Sequence, residues 1–441
     1  MKLKTISRKI RINLESSKKL FKILSAASLS TLIKSITSFI IGKLGAIWLG
    51  PAGIALMGQL GNVVTILNTV GAGLLESGTT ALIAKNKDDQ GQLIKICSNV
   101  LKISFTISAF LGILVIIFAD ELNKLAFQGH NYDKYIILCG IFIFISASSN
   151  LISSIINGLQ QFKQLILINI ITNVMVFFVT LILMYFYRLD GAFFSIIVAQ
   201  PICFYLAYLL FKTRIQLKPI IVNINSKEFD SNERKSVLKY ILMGFFSTIV
   251  MPATSFIVRS IIISNKGVDI AGYWESIVKV GYIYSSFILM YISYYFFPQI
   301  ASIDDYRDIK KHIRLFMTSI LPLFVLGCIP IYFFRKEVTL FVFTEQFSPI
   351  NDLYLVQLAG EVIKVISGLY VMVLWVKNNL FDFIITQLVY SLSYIGVTYY
   401  LVNSYGEKAG TIAFFTSSFI YLMLLIILLE VSHRKYKINK I

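Results

Sequence analysis

Long apolar runs repeat along the whole chain, and they constrain its fold more than any other feature. Crossing the hydrocarbon core of a bilayer takes about 20 consecutive apolar residues in a helix, whereas barrel strands would be short, alternating segments. Runs bounded by charged residues, Gly or Pro predict spans at 21–43, 51–82, 96–119, 134–158, 164–187, 191–211, 236–264, 270–298, 313–334, 350–376, 380–402 and 409–431. The sequence therefore predicts an all-α membrane protein with about twelve transmembrane helices.

Composition excludes a soluble protein. Hydrophobic residues make up 56% of the chain and charged residues 15%, with a mean hydropathy of +0.75. Soluble domains have about 45–50% apolar and about 25% charged residues. The excess of apolar side chains cannot be hidden in a soluble core and must face lipid.

Basic residues indicate the orientation in the membrane. With the N-terminus in the cytoplasm, 27 of the 41 Lys and Arg residues fall in cytoplasmic segments and 8 in outer ones. Lys and Arg accumulate on the cytoplasmic side of membrane proteins, so both termini are predicted to be cytoplasmic. This bias accounts for most of the net charge of +18 without any nucleic-acid partner.

The longest polar stretch lies in the middle of the chain, at roughly 212–238, and separates six predicted spans from six others. Such a division predicts two six-helix lobes around a central cavity. The predicted organisation is a basic N-terminus at 1–20, an N-lobe at 21–211, a cytoplasmic linker at 212–235, a C-lobe at 236–431 and a basic C-terminus at 432–441.

Motifs for catalysis are absent from the sequence. It contains no G-x-x-x-x-G-K-[ST] phosphate-binding loop, so the chain is not expected to hydrolyse ATP itself. Its four cysteines lie inside apolar runs and its three histidines are widely separated, neither with the spacing of metal ligands. We expect a transporter rather than an enzyme, with no cofactor and no metal.

Ionisable residues inside predicted spans are the candidate functional groups, because charge at membrane depth is costly and marks a pathway or a partner. The cations suggest a site for an anionic passenger such as pyrophosphate, and the acids suggest ion coupling. The candidate cations are Lys34, Arg259, Lys279 and Lys364, and the candidate acids are Glu361 and Glu76. Two alternatives stay open: Arg259 could extend to the outer interface, and Glu361 and Lys364 could form a structural pair at i,i+3.

Two blocks carry a family resemblance. Lys34 to Asn62 reads K-S-I-T-S-F-I-I-G-K-L-G-A-I-W-L-G-P-A-G-I-A-L-M-G-Q-L-G-N, and the block from Ile270 to Ser302 contains A-G-Y-W-E-S-I-V-K-V and ends in Y-Y-F-F-P-Q-I-A-S. They resemble the first two helices and the eighth helix of Wzx-type O-antigen and enterobacterial-common-antigen flippases. These belong to the multidrug/oligosaccharidyl-lipid/polysaccharide exporter superfamily. The sequence departs from that pattern at Glu76, where an uncharged residue is expected.

The resemblance implies a flippase that moves an undecaprenyl-pyrophosphate-linked oligosaccharide, such as an O-antigen repeat unit, between the leaflets of the bacterial inner membrane. It implies a cationic central cavity that includes Lys34, Arg259 and Lys279, and an O-antigen polymerase or ligase as a possible partner. A lipid II flippase and a multidrug antiporter of the same superfamily are the alternatives. A non-transporting scaffold or a glycan polymerase ranks lower, because a polymerase usually has large outer loops.

Overall fold

The computed structural model describes residues 2–129, 131–213, 231–292, 296, 299–300, 303, 306–376 and 380–438. Most of the predicted linker, the extreme ends of the chain and parts of the second resemblance block lie outside them. The helices are α1 (Lys2–Asn68), α2 (Leu74–Lys85), α3 (Gln90–Ile117), α4 (Ala119–Phe127), α5 (Asp133–Gly158), α6 (Phe162–Phe194), α7 (Gln200–Phe211), α8 (Ser231–Lys266), α9 (Val268–Tyr291), α10 (Tyr306–Phe333), α11 (Arg335–Val342), α12 (Tyr354–Val376), α13 (Leu380–Tyr405) and α14 (Ala409–Ile438).

Eight segments of the described chain are long and apolar enough to cross a membrane. Three of them, at Ser30–Ala72, Phe162–Phe211 and Phe381–Glu430, hold two predicted spans each. Helix α9 occupies the position of the predicted span at 270–298 but is not among the eight. The prediction of an all-α, multi-span membrane protein is confirmed, and no strand occurs in the ranges given above.

Single residues break the long helical segments. Gly50 interrupts α1 with φ of 65° and ψ of −169°, and Pro51 follows at the first position of the next helical stretch. Glycine adopts positive φ without a side-chain clash, and proline lacks only an amide that a helix start leaves unused. Arg188 breaks α6 in the same way with φ of 52°. Because each break involves a single residue, the two predicted spans on either side of it are joined without a loop.

Contacts between Cα atoms divide the chain into two units. Unit 1 comprises 1–41, 67–119 and 134–244, and unit 2 comprises 42–66, 120–133 and 245–441. Two segments of the predicted N-lobe, 42–66 and 120–133, thus group with the second half of the chain. The division into two six-helix lobes at 21–211 and 236–431 stays a prediction.

Unit 1 has its own apolar core, which includes Leu75, Ile96 and Leu151. Helices α3 and α5 approach each other closely at two glycines. A Cβ on Gly112 would lie 2.5 Å from the carbonyl oxygen of Gly140. Small residues allow such contact between helices in lipid, where dispersion between packed surfaces drives association.

Unit 2 has a larger core, with Trp274, Tyr354 and Phe347 among its fully buried side chains. Here the second helical stretch of α1 packs on α9, because Gly272 leaves room for the backbone of Pro51. Lys43 donates hydrogen bonds to the carbonyl oxygens of Leu340 (2.6 Å) and Phe343 at the end of α11. These contacts explain why 42–66 groups with unit 2.

Two connections contain structure that the sequence did not predict. Helix α4 follows the third span, and helix α11 with a 3-10 turn at Glu345–Asp352 follows the ninth. Both helices have acidic residues in the first turn, such as Asp120 and Glu337, which favours helix formation near the positive end of the backbone dipole. These two helices contain too few apolar residues for a membrane span, so the sequence predicts loops at their positions.

Candidate functional site

Lys34 lies on α1 and lines a polar cavity inside unit 1. The cavity has a volume of about 290 Å³. Lys34 is the charged residue among those that line it, and its side chain is exposed. It forms no ion pair with any residue in the described ranges. The structure thus places an uncompensated cation at the wall of a cavity between membrane-spanning helices.

The rest of this cavity is lined by neutral polar side chains. Four amide side chains contribute to it, one of them from α7, together with five hydroxyl side chains and Phe204. The amide residues are Asn150, Asn169, Asn173 and Gln200. So many polar groups among apolar spans are costly in lipid, and they mark a water-filled or ligand-binding space.

A second charged site lies in unit 2, around Arg259 on α8. The Arg259 side chain is 2% exposed. It forms an ion pair with Glu275 of α9 and donates a hydrogen bond from Nη1 to Gln59 Oε1 at 3.0 Å. Its guanidinium also lies 5.4 Å from the centre of the Trp274 ring. Arg259 is therefore fixed on several sides and its charge is balanced within the protein.

Lys279 belongs to the same cluster but remains accessible. Its Nζ lies 3.6 Å from Glu275 Oε1, and its side chain is 38% exposed. Because one carboxylate serves two cations, the cluster of Arg259, Glu275 and Lys279 carries one net positive charge. Gln59 extends the network by donating from Nε2 to Ser260 Oγ at 2.7 Å. The free charge of this cluster is thus presented by Lys279.

Glu361 and Lys364 form a pair on α12 in unit 2. Lys364 Nζ lies 3.7 Å from Glu361 Oε2, and Gln357 Nε2 donates to Glu361 Oε1 at 3.1 Å. Glu361 is 1% exposed, whereas the Lys364 side chain is 28% exposed and lies 5.4 Å from the ring centre of Phe414. The i,i+3 contact that the sequence left open as an alternative is present in the structure, and it neutralises the buried acid.

The structure distributes the predicted site residues over both units. Lys34 and Glu76 lie in unit 1, and Arg259, Lys279, Glu361 and Lys364 lie in unit 2. Within unit 2, Arg259 and Lys279 share Glu275. Glu76 is half-buried on α2 and makes no ion pair within the described part of the chain.

The neutral amides of the unit 1 cavity are not among the residues predicted from the sequence, because the prediction used only ionisable groups at membrane depth. A signal was present. Asn169 and Asn173 are separated by four residues within an apolar span, and so share one helix face. Amides at this spacing inside a membrane helix indicate a polar surface as surely as a single lysine does.

Comparison with known proteins agrees with this architecture. No protein-family model matches the chain. The chain is 20% identical over 402 residues to the lipid III flippase of Escherichia coli strain K12, across 90% of this chain and 94% of the relative. The lipid III flippase of Shigella flexneri matches with the same identity and coverage.

Solved structures share the fold. The lipid II flippase MurJ in an inward closed conformation aligns with a TM-score of 0.74 and 15% identity, over 92% of this chain and 87% of that one. An inward-facing multidrug resistance MATE family transporter of the MOP superfamily aligns with a TM-score of 0.71 and 16% identity, over 94% and 99%. The chain is a multi-pass membrane protein with the helical fold of these transporters.

Proposed function

We propose that this protein is a flippase for an undecaprenyl-pyrophosphate-linked oligosaccharide, an O-antigen repeat unit or a related one. The observation that carries the proposal is Lys34, a cation without an ion-pair partner in the described chain, at the wall of a polar cavity. An ammonium in such a place binds a phosphate oxygen well. The relatives named lipid III flippase support a lipid-linked cargo.

Charge balance favours an anionic cargo over a cationic drug. The Lys34 cavity contributes one uncompensated positive charge, and Lys279 presents another from the Arg259 cluster. A multidrug antiporter for cations would need carboxylates facing its cargo, but Glu275 and Glu361 already neutralise neighbouring cations, and Glu76 does not line the Lys34 cavity. The multidrug alternative thus rests on the shared fold with MATE transporters alone.

In the proposed mechanism, Lys34 attracts the pyrophosphate when the transporter is open to the cytoplasm, and Lys279 presents a separate positive charge in unit 2. Lys364, partly exposed beside Glu361, would donate to the pyrophosphate without adding net charge, and Arg259 would hold Glu275 and Lys279 in position. The lobes then alternate so that the cavity opens to the other side of the membrane, while the prenyl chain stays in lipid. An oligosaccharide carried in this way needs no ATPase of the protein's own.

The membrane potential would drive the outward movement of an anionic cargo. A membrane potential that is negative inside favours outward movement of an anion by roughly 2.3 kcal/mol per charge per 100 mV. Proton or sodium antiport through Glu361 or Glu76 could add to this. Transport that continues unchanged in both Glu361→Gln and Glu76→Gln would remove these two residues from any coupling scheme.

The proposed location is the cytoplasmic membrane of a bacterium, with both termini inside. The bias of Lys and Arg supports this orientation. There the product on the outer leaflet would pass to an O-antigen polymerase or ligase, with which the flippase could associate. A reporter fused after Ile441 should be active only if it is a cytoplasmic type, such as green fluorescent protein, and not if it is alkaline phosphatase.

Complementation tests the function. In a strain that lacks its O-antigen flippase, wild type should restore surface glycan, and Lys34→Ala and Lys279→Ala should fail at matched expression. Restoration by all three would preserve the flippase and discard the site.

A lipid II flippase is the second candidate, favoured by the structural match to MurJ. Rescue of cells depleted of their lipid II flippase, without rescue of O-antigen display, would establish it instead. Drug efflux without either rescue would favour the multidrug antiporter.

A further inference from the structure

We propose that the cavity of unit 1 is a sugar-binding subsite that recognises the sugar residue next to the pyrophosphate of the cargo. The inference rests on the proposed function for the presence of the pyrophosphate, and it adds a neutral recognition site beside it. Its basis is the lining of the cavity, in which Lys34 is joined by amides, hydroxyls and one aromatic ring.

The amides are placed to bind hydroxyl groups. Asn169 and Asn173 project from one face of α6 one turn apart, and Asn150 reaches the cavity from α5. Their side chains take part in no hydrogen bond between residues that the structure describes. Each primary amide offers two donors and one acceptor oxygen, which matches the paired donors and acceptors of neighbouring hydroxyls or an acetamido group on a sugar ring.

Thr172 is an independent sign that a polar ligand belongs here. It lines the cavity and is 6% exposed, yet its hydroxyl has no hydrogen-bond partner in the described chain. A buried hydroxyl is costly unless it is hydrogen-bonded, and the cost is greater in a membrane protein. A ligand hydroxyl would supply the missing partner.

Size and shape favour one sugar ring. The volume of about 290 Å³ lies just below the range of about 300–1,000 Å³ that small-molecule sites occupy. Phe204 also lines the cavity, and because it is otherwise packed in the apolar core of unit 1 it adds a small apolar surface to the wall. A site for phosphate alone would need more cations than Lys34, and a site for an apolar drug would need fewer amides.

The position of Lys34 sets the order of binding. Because the cation and the amides line the same cavity, a pyrophosphate held by Lys34 leaves the first sugar as the group close enough to reach Asn169 and Asn173. Sugars further along the oligosaccharide would lie outside so small a space. This subsite would therefore distinguish repeat units by their first sugar.

The test uses full-length protein in lipid nanodiscs and three probes: undecaprenyl pyrophosphate, and the same lipid carrying N-acetylglucosamine or galactose. Binding is measured for wild type, Asn169→Ala, Asn173→Ala and Lys34→Ala. Asn157→Ala, on α5 but outside the cavity lining, is the matched control. We expect wild type to bind at least one sugar-bearing probe more tightly than the bare lipid. Each cavity Asn variant should lose about 3- to 10-fold of that advantage while binding the bare lipid normally.

The outcomes separate the two proposals. Equal affinity of wild type for all three probes, or unchanged sugar preference in both Asn variants, would overturn the subsite and leave the flippase intact. Failure of wild type to bind any probe would overturn both. Loss of binding to all three probes in Lys34→Ala, with the sugar preference lost only in the Asn variants, would support a cation that holds the pyrophosphate beside amides that read the sugar.

Discussion

The polar cavity of unit 1 and the Arg259 cluster of unit 2 both place lysine or arginine inside membrane-spanning helices, but they satisfy that charge differently. Arg259 has its own carboxylate, an amide and an indole ring around it. Lys34 has neutral groups around it and no ion-pair partner in the described residues. A compensated charge links the helices that carry the pair, whereas an uncompensated charge is available to bind a ligand.

The largest expected effect follows from breaking the compensated site. Arg259→Leu leaves Glu275 without its closest partner, with only Lys279 at 3.6 Å. Removing one member of a buried ion pair costs about 3–5 kcal/mol. We expect the melting temperature of the purified protein in detergent to fall by roughly 5 °C or more.

The double variant Arg259→Leu, Glu275→Leu is the control. Replacing a whole buried pair with apolar residues is often close to neutral, so the double variant should melt nearer to wild type than the single one does. A double variant less stable than Arg259→Leu would show that the pair contributes more than mutual neutralisation.

A smaller effect, on function alone, is expected at the uncompensated site. Lys34→Ala removes no ion pair, and its side chain is exposed, so stability should change by less than about 0.5 kcal/mol. Loss of a charge-assisted hydrogen bond to phosphate, worth about 1.5–3 kcal/mol, should lower transport by roughly 10- to 100-fold. Transport of a fluorescent lipid-linked sugar in proteoliposomes measures this, and Lys34→Arg should retain part of the activity. A variant that melts well below wild type would place Lys34 with Arg259 instead.

The smallest effect compares two lysines within unit 2. Lys364→Met leaves the buried Glu361 without a cation nearby among the described residues, whereas Lys279→Met leaves Glu275 paired with Arg259. Lys364→Met should therefore lower the melting temperature more, with a difference of about 1–3 kcal/mol in stability. Equal melting temperatures would mean that Glu361 does not rely on Lys364.

Sequence alone was sufficient for most of the helices, because a run of apolar residues has few alternatives in lipid. The predicted span at 134–158 and the helix at Asp133–Gly158 differ by one residue at one end. The contact between Glu361 and Lys364, one of the alternatives that the sequence left open, is present, since spacing on one helix is fixed by its pitch. The role of Lys34 stays a prediction.

What sequence could not supply depends on contacts between distant segments. Gln59 and Arg259 are 200 residues apart, and nothing local indicates that one binds the other. The grouping of 42–66 with unit 2 likewise depends on the fit of Pro51 against Gly272. Asn150 and Asn173 meet in one cavity only because α5 and α6 are neighbours.

The short links between consecutive helices also limit the length of chain that lies outside the membrane on one side. If the twelve predicted spans alternate in direction, the links at Gly50, at Arg188, at Gly267 and at Gly406–Lys408 are predicted to emerge on the same side. Links this short provide no loop that a protease could cleave or an antibody could bind. On this side the longer connections are those at 119–132 and 334–353, which contain α4 and α11, and tags for labelling from that side belong there.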